Sequence, residues 1–344
     1  MKGGLRMIIL MNCLTDAPDE GGVKLANHLA RVIKAARPNT TVVSYGKEAR
    51  GCDVHIPVKN KLMMNGALAR FLRGRKEEVL YFPAYTRMLD TAVHTFVISL
   101  FVRSGVKTVI AMHGPMNGLA KLLFRLSRAQ IITLSDETND IFRSVVGKRA
   151  LQLKTGVDTS RFHPVSADKK AALRQKYGLP QDKPVVLHVG HMKVSRNIGV
   201  MQQLAADFHG LLVTSTMTAG EADAALREEL LLQSNLTIID TYQPRVEELY
   251  QLADVYLFPV TQARNCIDVP LSVLEAAACG IPVVGTDYGE MKALLGQPGF
   301  YPLKDFAPQA MNSLLRQAAR ESLSPREGVL AYDWQLALSQ LDAE

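Results

Sequence analysis

The chain has 344 residues, of which 47% are hydrophobic and 21% are charged. This composition is typical of a soluble globular enzyme, and the length favours two domains over one compact core. No run without a charged residue exceeds 13 residues. A membrane-spanning helix needs about 18 to 20 apolar residues, so the sequence excludes that class of protein.

The net charge of +7 is divided unevenly along the chain. Residues 1–163 carry 25 Lys and Arg against 12 Asp and Glu, a balance of +13, whereas residues 164–344 carry 15 against 21, a balance of −6. The acidic second half argues against a continuous basic groove, and no recognition motif is present, so we expect no nucleic-acid partner.

The first apolar segment, Met7 to Leu14, follows two basic residues as a signal peptide would. It is short, lacks a small-residue cleavage site and runs into acidic residues, so a first buried strand of a cytoplasmic protein explains it better. The cysteines have no C-x-x-C or zinc spacing, which predicts reduced thiols; they are Cys13, Cys52, Cys266 and Cys279.

Short apolar runs alternate with amphipathic stretches of helical period along the whole chain, which predicts parallel strands joined by helices. The predicted strands of the first half are Met7 to Cys13, Thr41 to Tyr45, Val54 to Ile56, Val79 to Phe82, Thr108 to His113, Gln130 to Leu134 and Leu151 to Lys154. Those of the second half are Pro184 to Gly190, Leu211 to Thr214, Leu236 to Asp240, Val255 to Pro259 and Pro282 to Gly285.

A turn-rich stretch from Thr155 to Pro164 separates the two sets, at the place where the charge changes sign. The predicted fold is therefore α/β, with two Rossmann-like doubly wound domains that face each other across a cleft. The expected domains are 1–158 and 159–325, and a C-terminal helix in 326–344 is expected to pack back on the first domain. Ligands of such sheets bind outside the carboxyl ends of the strands.

Glycines open the helix that follows the first strand, in the segment Asp19-Glu20-Gly21-Gly22-Val23-Lys24. Glycines at a helix start let a phosphate approach the free backbone N–H groups. A plain tight turn is the alternative. The segment is not G-x-G-x-x-G, which argues against a dinucleotide dehydrogenase.

A second candidate loop follows Gly190 at the start of the second domain and carries His191, Lys193 and Arg196. It ends a strand and precedes a predicted helix from Ile198 to Phe208, which is a suitable place for a diphosphate. Arg196 offers a fork of donors for two oxygens. A solvated basic loop is the alternative.

Glu275 is a lone carboxylate in the apolar segment from Pro270 to Val284. Burying a carboxylate costs several kcal/mol unless it is satisfied. We therefore expect Glu275 to accept hydrogen bonds from a ligand hydroxyl or from nearby backbone.

The order of these segments resembles the retaining glycosyltransferases of the GT-B fold, sequence family four. The resemblance covers nearly the whole chain and rests on Gly21-Gly22, on Ala111 to Gly114, on Ile131 to Ser135, on Gly156-Val157-Asp158, on Arg161-Phe162 and Pro164, on the loop Gly190 to Arg196, and on Ala253 to Val284.

The resemblance implies a role for each matching residue. Gly22 would admit the donor diphosphate, Arg196 matches a phosphate-binding lysine, and Glu275 matches the glutamate that holds the ribose hydroxyls. His113 would face the donor sugar, with a core histidine as the alternative. The implied donor-binding set is Gly21, Gly22, His191, Lys193, Arg196, Thr241, Tyr242, Leu274 and Glu275.

Two positions depart from the family pattern. His191 stands where an arginine is common, and Ile267 stands where a second glutamate is common, eight residues before Glu275. Either Asp268 replaces that glutamate by a shift of one residue, or backbone amides of Asn265 to Val269 hold the sugar. The implied catalytic set is His113, Arg196 and Asp268.

The implied reaction moves a hexosyl group from a nucleotide diphosphate sugar to an acceptor hydroxyl and keeps the anomeric configuration. The leaving diphosphate itself would take the acceptor proton. The chain has no D-x-D, so we expect no metal and no cofactor. The sequence does not indicate an oligomeric state.

The basic first half predicts the acceptor side, a lipid or a cell-surface glycan. Two basic amphipathic stretches, Lys61 to Lys76 and Gly118 to Arg128, suit an anionic membrane surface. In the second stretch four leucines share a face and Phe124 is predicted to point outward. A solvated helix face is the alternative. The acceptor-side residues are Lys24, Lys121, Phe124, Arg125 and Arg128.

A second hypothesis, motivated by Ile267 and His191, is a relative without catalysis that binds a nucleotide sugar or a partner enzyme. Any measurable donor hydrolysis or transfer separates it from an active transferase. An epimerase or phosphorylase of the same fold has no support beyond analogy.

Overall fold

The computed structural model describes residues 6–11, 21–46, 51–58, 65–83, 87–214 and 223–342. Backbone contacts divide the chain into unit 1, Met1–Lys154 with Ala337–Glu344, and unit 2, Thr155–Leu336. The sequence predicts these two boundaries between residues 158 and 159 and between residues 325 and 326. The returning C-terminal segment is bound within unit 1, where Lys107 Nζ donates to the Leu341 carbonyl oxygen at 3.0 Å.

Unit 1 is built on a parallel sheet of seven strands in the order β3-β2-β1-β4-β5-β6-β7. In register, Ile9 of β1 lies opposite Val42 of β2 and Leu80 of β4. The strands are β1 (Met7–Met11), β2 (Thr41–Ser44), β3 (Val54–His55), β4 (Glu78–Tyr81), β5 (Val106–Ile110), β6 (Gln130–Thr133) and β7 (Ala150–Gln152). The helices are α1 (Gly21–Ala36), α2 (Gly66–Leu72), α3 (Met88–Phe101), α4 (Gly118–Ser127) and α5 (Asp136–Val146).

Unit 2 is built on a parallel sheet of six strands in the order β10-β9-β8-β11-β12-β13. The strands are β8 (Val185–Gly190), β9 (His209–Thr214), β10 (Leu236–Ile239), β11 (Val255–Phe258), β12 (Val283–Gly285) and β13 (Phe300–Pro302). The α-helices are α6 (Ala167–Lys176), α7 (Ala224–Leu231), α8 (Glu247–Gln251), α9 (Leu271–Ala278), α10 (Met291–Leu294) and α11 (Pro308–Glu321), and α12 (Trp334–Asp342) leads back to unit 1. Within the described ranges, none of the helices has the length and apolar character that crossing a bilayer demands.

The predicted α/β fold with two doubly wound parallel sheets is confirmed, because the apolar runs become strands that are buried on both faces. Every strand of β1 to β12 was predicted within three residues at each described end; Cys13, in the predicted first strand, lies outside the described residues. β13 was not predicted because it has only three residues and ends in proline.

The predicted helix from Ile198 to Phe208 is wrong. The structure has two short 3₁₀ helices there, Val194–Arg196 and Ile198–Gln203. Asn197, directly before the predicted helix, adopts a left-handed conformation, with φ 58°, and separates the two short helices.

The outward orientation predicted for Phe124 is also wrong. The Phe124 side chain is fully buried and packs edge-on against Phe142, with ring centroids 5.2 Å apart. The face of α4 that meets the domain contains Ala120, Phe124 and Ser127. The leucine face lies outward instead, with Leu119, Leu122 and Leu126 exposed by 53%, 49% and 55%.

The other predicted basic stretch partly coincides with α2. Leu68 and Leu72 are buried there and Arg70, Arg73 and Lys76 are exposed, which agrees with the predicted faces. Met64 and the rest of residues 61–64 lie outside the described residues.

The burial of Phe124 predicts a contrast in stability on a single helix. Phe124→Ala should lower the free energy of unfolding by about 3–5 kcal/mol, because it leaves a cavity in the core. Leu122→Ala, on the exposed face of the same helix, should change it by no more than about 0.5 kcal/mol. Urea denaturation followed by circular dichroism measures both. Equal losses for the two variants would contradict the orientation of α4.

Candidate functional site

The strand order of unit 2 reverses at β8, which lies between β9 and β11. A crevice opens at such a switch point, at the carboxyl ends of the strands, and ligands of open α/β sheets bind there. β8 ends at Gly190, and the next residues form a tight loop in which Lys193 N bonds to His191 O and Arg196 N bonds to Lys193 O, both at 3.0 Å. The fold therefore brings His191, Lys193 and Arg196 to the switch point.

Arg196 is a buried cation in this loop, with only 8% of its surface exposed. Among the described residues, no carboxylate forms an ion pair with it. Burying a charge without a partner costs several kcal/mol. An unpaired guanidinium at the end of a switch-point strand is therefore a strong indication of an anionic ligand.

Gly190 gives Arg196 its position. A Cβ atom built on Gly190 would lie 2.8 Å from Arg196 Nη1 and 2.9 Å from His188 Nε2. Both distances are shorter than real Cβ contacts, so a side chain at position 190 would require the Arg196 guanidinium and the buried His188 ring to move. The end of β8 is thus a place where a cation and a buried imidazole approach the same backbone atom.

His188 is completely buried on β8, and its ring stacks on Tyr256 with an interplanar angle of 19°. Its Nδ1 lies 2.8 Å from the Leu257 carbonyl oxygen. Burial, with a smaller contribution from the nearby Arg196 charge, lowers the pKa of His188 to about 4, although the hydrogen bond to the Leu257 carbonyl oxygen acts in the opposite direction. The imidazole is therefore neutral at pH 7.

Two side-chain clamps hold the loop against the segment that follows β11. Asn265 Nδ2 donates to the Ser195 carbonyl oxygen at 2.8 Å, and Ser195 Oγ donates back to Asn265 Oδ1 at 3.1 Å. Asn197 Nδ2 donates to the Pro259 carbonyl oxygen at 3.4 Å. These bonds bracket Arg196 on both sides and fix its backbone. The sequence pattern did not mark Asn265 as a clamp, because no local signal distinguishes it from any other loop asparagine.

Asp268 lies in the same segment and is buried, as is Ile267. The Asp268 carbonyl oxygen accepts a hydrogen bond from Glu290 N at 2.8 Å. A Cβ on Gly289, which has φ 52°, would overlap that carbonyl oxygen. The backbone at Asp268 is therefore held closely by the turn after β12, and the catalytic role of its side chain stays a prediction.

Glu275 is buried in α9, and Tyr250 on α8 donates from its hydroxyl to Glu275 Oε2 at 2.9 Å. Burial and the Glu275 carboxylate raise the pKa of Tyr250 well above its usual range, so the phenol stays a donor. The expected satisfied carboxylate is present, but a tyrosine provides one of its hydrogen bonds. Sequence reasoning missed Tyr250 because it lies 25 residues before Glu275 on another helix.

Three other predicted donor-binding residues lie in unit 2. Leu274 is 1% exposed, and a Cβ on Gly156 would lie 2.7 Å from its Cδ1. The Leu274 side chain is therefore packed against Gly156, and only the Leu274 backbone can contact a ligand. Thr241 and Tyr242 follow β10 and are exposed, with Thr241 bonded to the Gln243 amide at 2.9 Å.

The remaining predicted site residues lie in unit 1. Gly21 and Gly22 form the first turn of α1, and Lys24 on the same helix is half-buried. His113 lies beyond the end of β5, and its Nδ1 is 2.8 Å from Thr138 Oγ1 near the start of α5. The roles implied for these residues stay predictions.

On α4, Lys121 and Arg125 are exposed together with the leucine face, and Arg128 follows the helix in a left-handed conformation. Arg125 Nε also donates to the Val145 carbonyl oxygen at 3.0 Å. Among the residues that the structure describes, no group of three or more His, Cys, Asp and Glu side chains is arranged to hold a metal ion.

Comparison with known proteins matches residues 183–319 to the family model described as glycosyl transferases group 1. A GDP-mannose-dependent alpha-(1-6)-phosphatidylinositol monomannoside mannosyltransferase of Mycolicibacterium smegmatis is 28% identical over 203 residues, 53% of this chain and 53% of that protein. A GDP-mannose-dependent monoacylated alpha-(1-6)-phosphatidylinositol monomannoside mannosyltransferase of Corynebacterium glutamicum is 24% identical over 302 residues, 78% and 76% of the two chains. The chain spans about half the length of the first of these relatives.

Solved structures share the fold at low identity. A glycosyltransferase from Rickettsia africae superimposes with a TM-score of 0.76 and 14% identity, over 98% of this chain and 97% of the other. Anabaena HepE, crystallised with UDP and glucose, superimposes with a TM-score of 0.75 and 13% identity, over 99% of both chains. The matched family segment contains the whole Gly190 loop and Glu275.

Proposed function

We propose that the chain, whose residues 183–319 match the model of the group 1 glycosyl transferases and whose fold is that of solved glycosyltransferases, transfers a hexosyl group from a nucleotide diphosphate sugar to an acceptor hydroxyl, with retention of configuration. The observation that carries this proposal is the buried Arg196, which has no carboxylate partner in the described part of the chain. A diphosphate provides the negative charge that no described residue brings to Arg196.

The donor class agrees with the names of the similar proteins. Two relatives are described as GDP-mannose-dependent, and Anabaena HepE was crystallised with UDP and glucose. In our proposal Arg196, with Lys193 and His191 on the same loop, binds the diphosphate, and Glu275 accepts hydrogen bonds from the ribose hydroxyls. The backbone after β10, at Thr241 and Tyr242, lies against the base.

Charge stabilisation is the main contribution of the protein to this reaction. The bond between the anomeric carbon and the diphosphate oxygen breaks, the acceptor oxygen bonds to that carbon, and the acceptor proton passes to the leaving diphosphate. Arg196 stabilises the charge that develops on the leaving group, from a loop whose position is fixed before the reaction starts. No side chain is needed as a base, and the proposed transfer uses no metal and no cofactor.

For the acceptor we propose a lipid or cell-envelope glycan, reached by peripheral binding of unit 1 to an anionic membrane surface. The exposed part of α4 combines apolar Leu119, Leu122 and Leu126 with Lys121 and Arg125. This pattern inserts leucines among lipid headgroups while the cations meet the anionic lipids. The leucines replace Phe124 as the apolar part of the surface.

A second candidate function is nucleotide-sugar binding without transfer. Buried Ile267 favours it, because an aliphatic side chain stands where the resemblance implies a carboxylate. The first candidate requires that Asp268 or the clamped backbone of the same segment takes over the missing group. Transfer of sugar, or hydrolysis of the donor, at any measurable rate excludes the second candidate.

The ribose role of Glu275 predicts a specific loss of binding. Calorimetric titration with nucleotide sugars should show binding by the wild-type protein and none by Glu275→Ala, because the acceptor of the ribose hydroxyls is gone. Tyr250→Phe keeps the carboxylate and removes one donor. It should lower the free energy of unfolding by about 1–3 kcal/mol and reduce affinity far less. Affinity retained by Glu275→Ala would contradict the ribose role.

A catalytic role of Asp268 predicts a separation of turnover from binding. Asp268→Asn should lower turnover at least about tenfold, equivalent to about 1.4 kcal/mol of transition-state stabilisation, with little change in affinity for the donor nucleotide. The exposed Asp287→Asn serves as the matched control and should leave both quantities unchanged. Unchanged turnover in Asp268→Asn would remove this residue from the site.

Membrane docking through α4 predicts binding to vesicles that contain anionic lipid and not to neutral vesicles. Replacing Lys121, Arg125 and Arg128 by Ala should weaken sedimentation with anionic vesicles at least about tenfold, since each cation contributes about 1 kcal/mol near such a surface. Added salt should act in the same direction. Replacing exposed cations of unit 2, Lys169, Lys304 and Arg320, is the control. Equal binding to both vesicle types would refute the proposal.

A further inference from the structure

The Nε2 atom of His188 is a buried polar atom that has no hydrogen-bond partner among the residues that the structure describes. The other ring nitrogen faces the Leu257 carbonyl oxygen, which can only accept, so Nδ1 carries the proton of the neutral ring. Nε2 therefore holds a lone pair that points into the interior beside Gly190. A buried acceptor left in this state costs about 1–3 kcal/mol, which is a reason to ask what satisfies it.

Among the described residues, the surroundings of Nε2 contain a cation, and no hydrogen-bond donor reaches this atom. Both Nε2 and Arg196 Nη1 lie within 3 Å of the place where a Gly190 Cβ would be, at 2.9 and 2.8 Å. In the described part of the chain, the charged or titratable groups that interact with the ring are Arg196, on the loop, and Tyr256, on β11. The phenol pKa of Tyr256 is raised above its usual range by burial, so it brings no charge.

The state of His188 depends on what Arg196 binds. Without a ligand, burial and the positive charge of Arg196 both oppose protonation of the ring. A bound oxyanion neutralises Arg196 and adds negative charge a few ångströms away, and such a charge favours the protonated form of a nearby base. Binding of an oxyanion at Arg196 therefore raises the pKa of the His188 imidazole.

We propose that His188 takes up one proton from solvent when the diphosphate of a nucleotide sugar binds at Arg196. The proton goes to Nε2, which changes from an unsatisfied acceptor into a donor next to the oxyanion, while Nδ1 keeps its bond to Leu257. No other bond is made or broken. The inference rests on the proposed function for the identity of the ligand and adds a titratable second cation to its site.

Because proton uptake by His188 is coupled to ligand binding, the direction in which affinity changes with pH is determined. The pKa of His188 is about 4 in the free protein and higher in the complex, so affinity rises as pH falls through the interval between the two values. Above the higher value neither state binds the proton, and the gain is absent. Below about 4 both states bind it, and affinity rises no further. An opposite charge at close range raises the pKa of a base by about 1–3 units, and a rise of more than about 1.5 units, which we predict for His188, places pH 5.5 inside the interval.

The test is calorimetric titration with UDP-glucose and with GDP-mannose, whose diphosphate diesters do not titrate near this pH. Each is measured at pH 5.5 in two buffers of different ionisation enthalpy, and the difference in heat gives the number of protons taken up. The wild-type protein should take up roughly half a proton or more at pH 5.5 and close to none at pH 8. Affinity should be several-fold higher at pH 5.5.

His188→Asn is the decisive variant, because its amide N–H can still donate to the Leu257 carbonyl oxygen while the side chain cannot titrate. It should bind the nucleotide sugar at pH 8, take up no proton at pH 5.5 and lose the gain in affinity. His209→Gln is the matched control. His209 is a half-buried histidine at the opposite end of the same sheet, whose Nε2 bonds to Thr237 Oγ1. His209→Gln should show the same proton uptake and the same gain in affinity at pH 5.5 as the wild-type protein.

Binding without proton uptake in the wild-type protein would overturn the inference and leave the proposed function standing. Proton uptake that persists in His188→Asn, or that disappears in His191→Asn, would assign the proton to another group and would also overturn it. Failure to bind either nucleotide sugar would overturn both the proposed function and the inference. If His188→Asn does not fold, ¹⁵N shifts of the histidine rings in the wild-type protein decide, since Nε2 of His188 must become protonated on binding at pH 5.5.

Discussion

An unpaired guanidinium in the protein interior is the constraint on which the rest of the candidate site depends. Arg196 is 8% exposed and has no carboxylate partner among the described residues. Burying this charge lowers the free energy of unfolding, because the guanidinium loses its hydration. The surrounding structure keeps the charge in place: Gly190 leaves the space for it, and the bonds of Asn265 and Asn197 fix the loop on each side. A site built in this way is ready for an anion before the anion arrives.

The proposed function gives the two units different roles, which agree with their net charges. In the proposed function, unit 2, with its acidic balance, binds the donor through a few local groups at the ends of β8 and β11, and Glu275 on α9 accepts a hydrogen bond from Tyr250. Unit 1 carries the basic excess, and α4 displays leucines and cations on its exposed surface. The proposed reaction needs both properties, a precise place for a diphosphate and a broad attraction for an anionic acceptor surface.

Sequence patterns predicted the strands well because parallel strands that are buried on both faces become uninterrupted apolar runs. They failed for α4, where the leucine spacing defines an apolar face but cannot show which face meets the domain, and the small residues around Phe124 decided it. The sequence also located Arg196 in the loop after the strand that ends at Gly190, and Glu275 in the apolar segment from Pro270 to Val284. It could not show that, within the described ranges, Arg196 has no carboxylate partner and His188 has an unsatisfied nitrogen, because both facts depend on side chains that only the folded chain brings together.

The central claim is that Arg196 binds the diphosphate of a nucleotide sugar, and phosphorus NMR tests it most directly. On titration of GDP-mannose or UDP-glucose with the protein, we predict that both phosphorus resonances of the bound nucleotide sugar shift and broaden. With Arg196→Gln, which keeps a polar side chain with an N–H donor but removes the charge, they should stay at their free positions at the same protein concentration. Equal shifts with the wild-type protein and with this variant would contradict the claim.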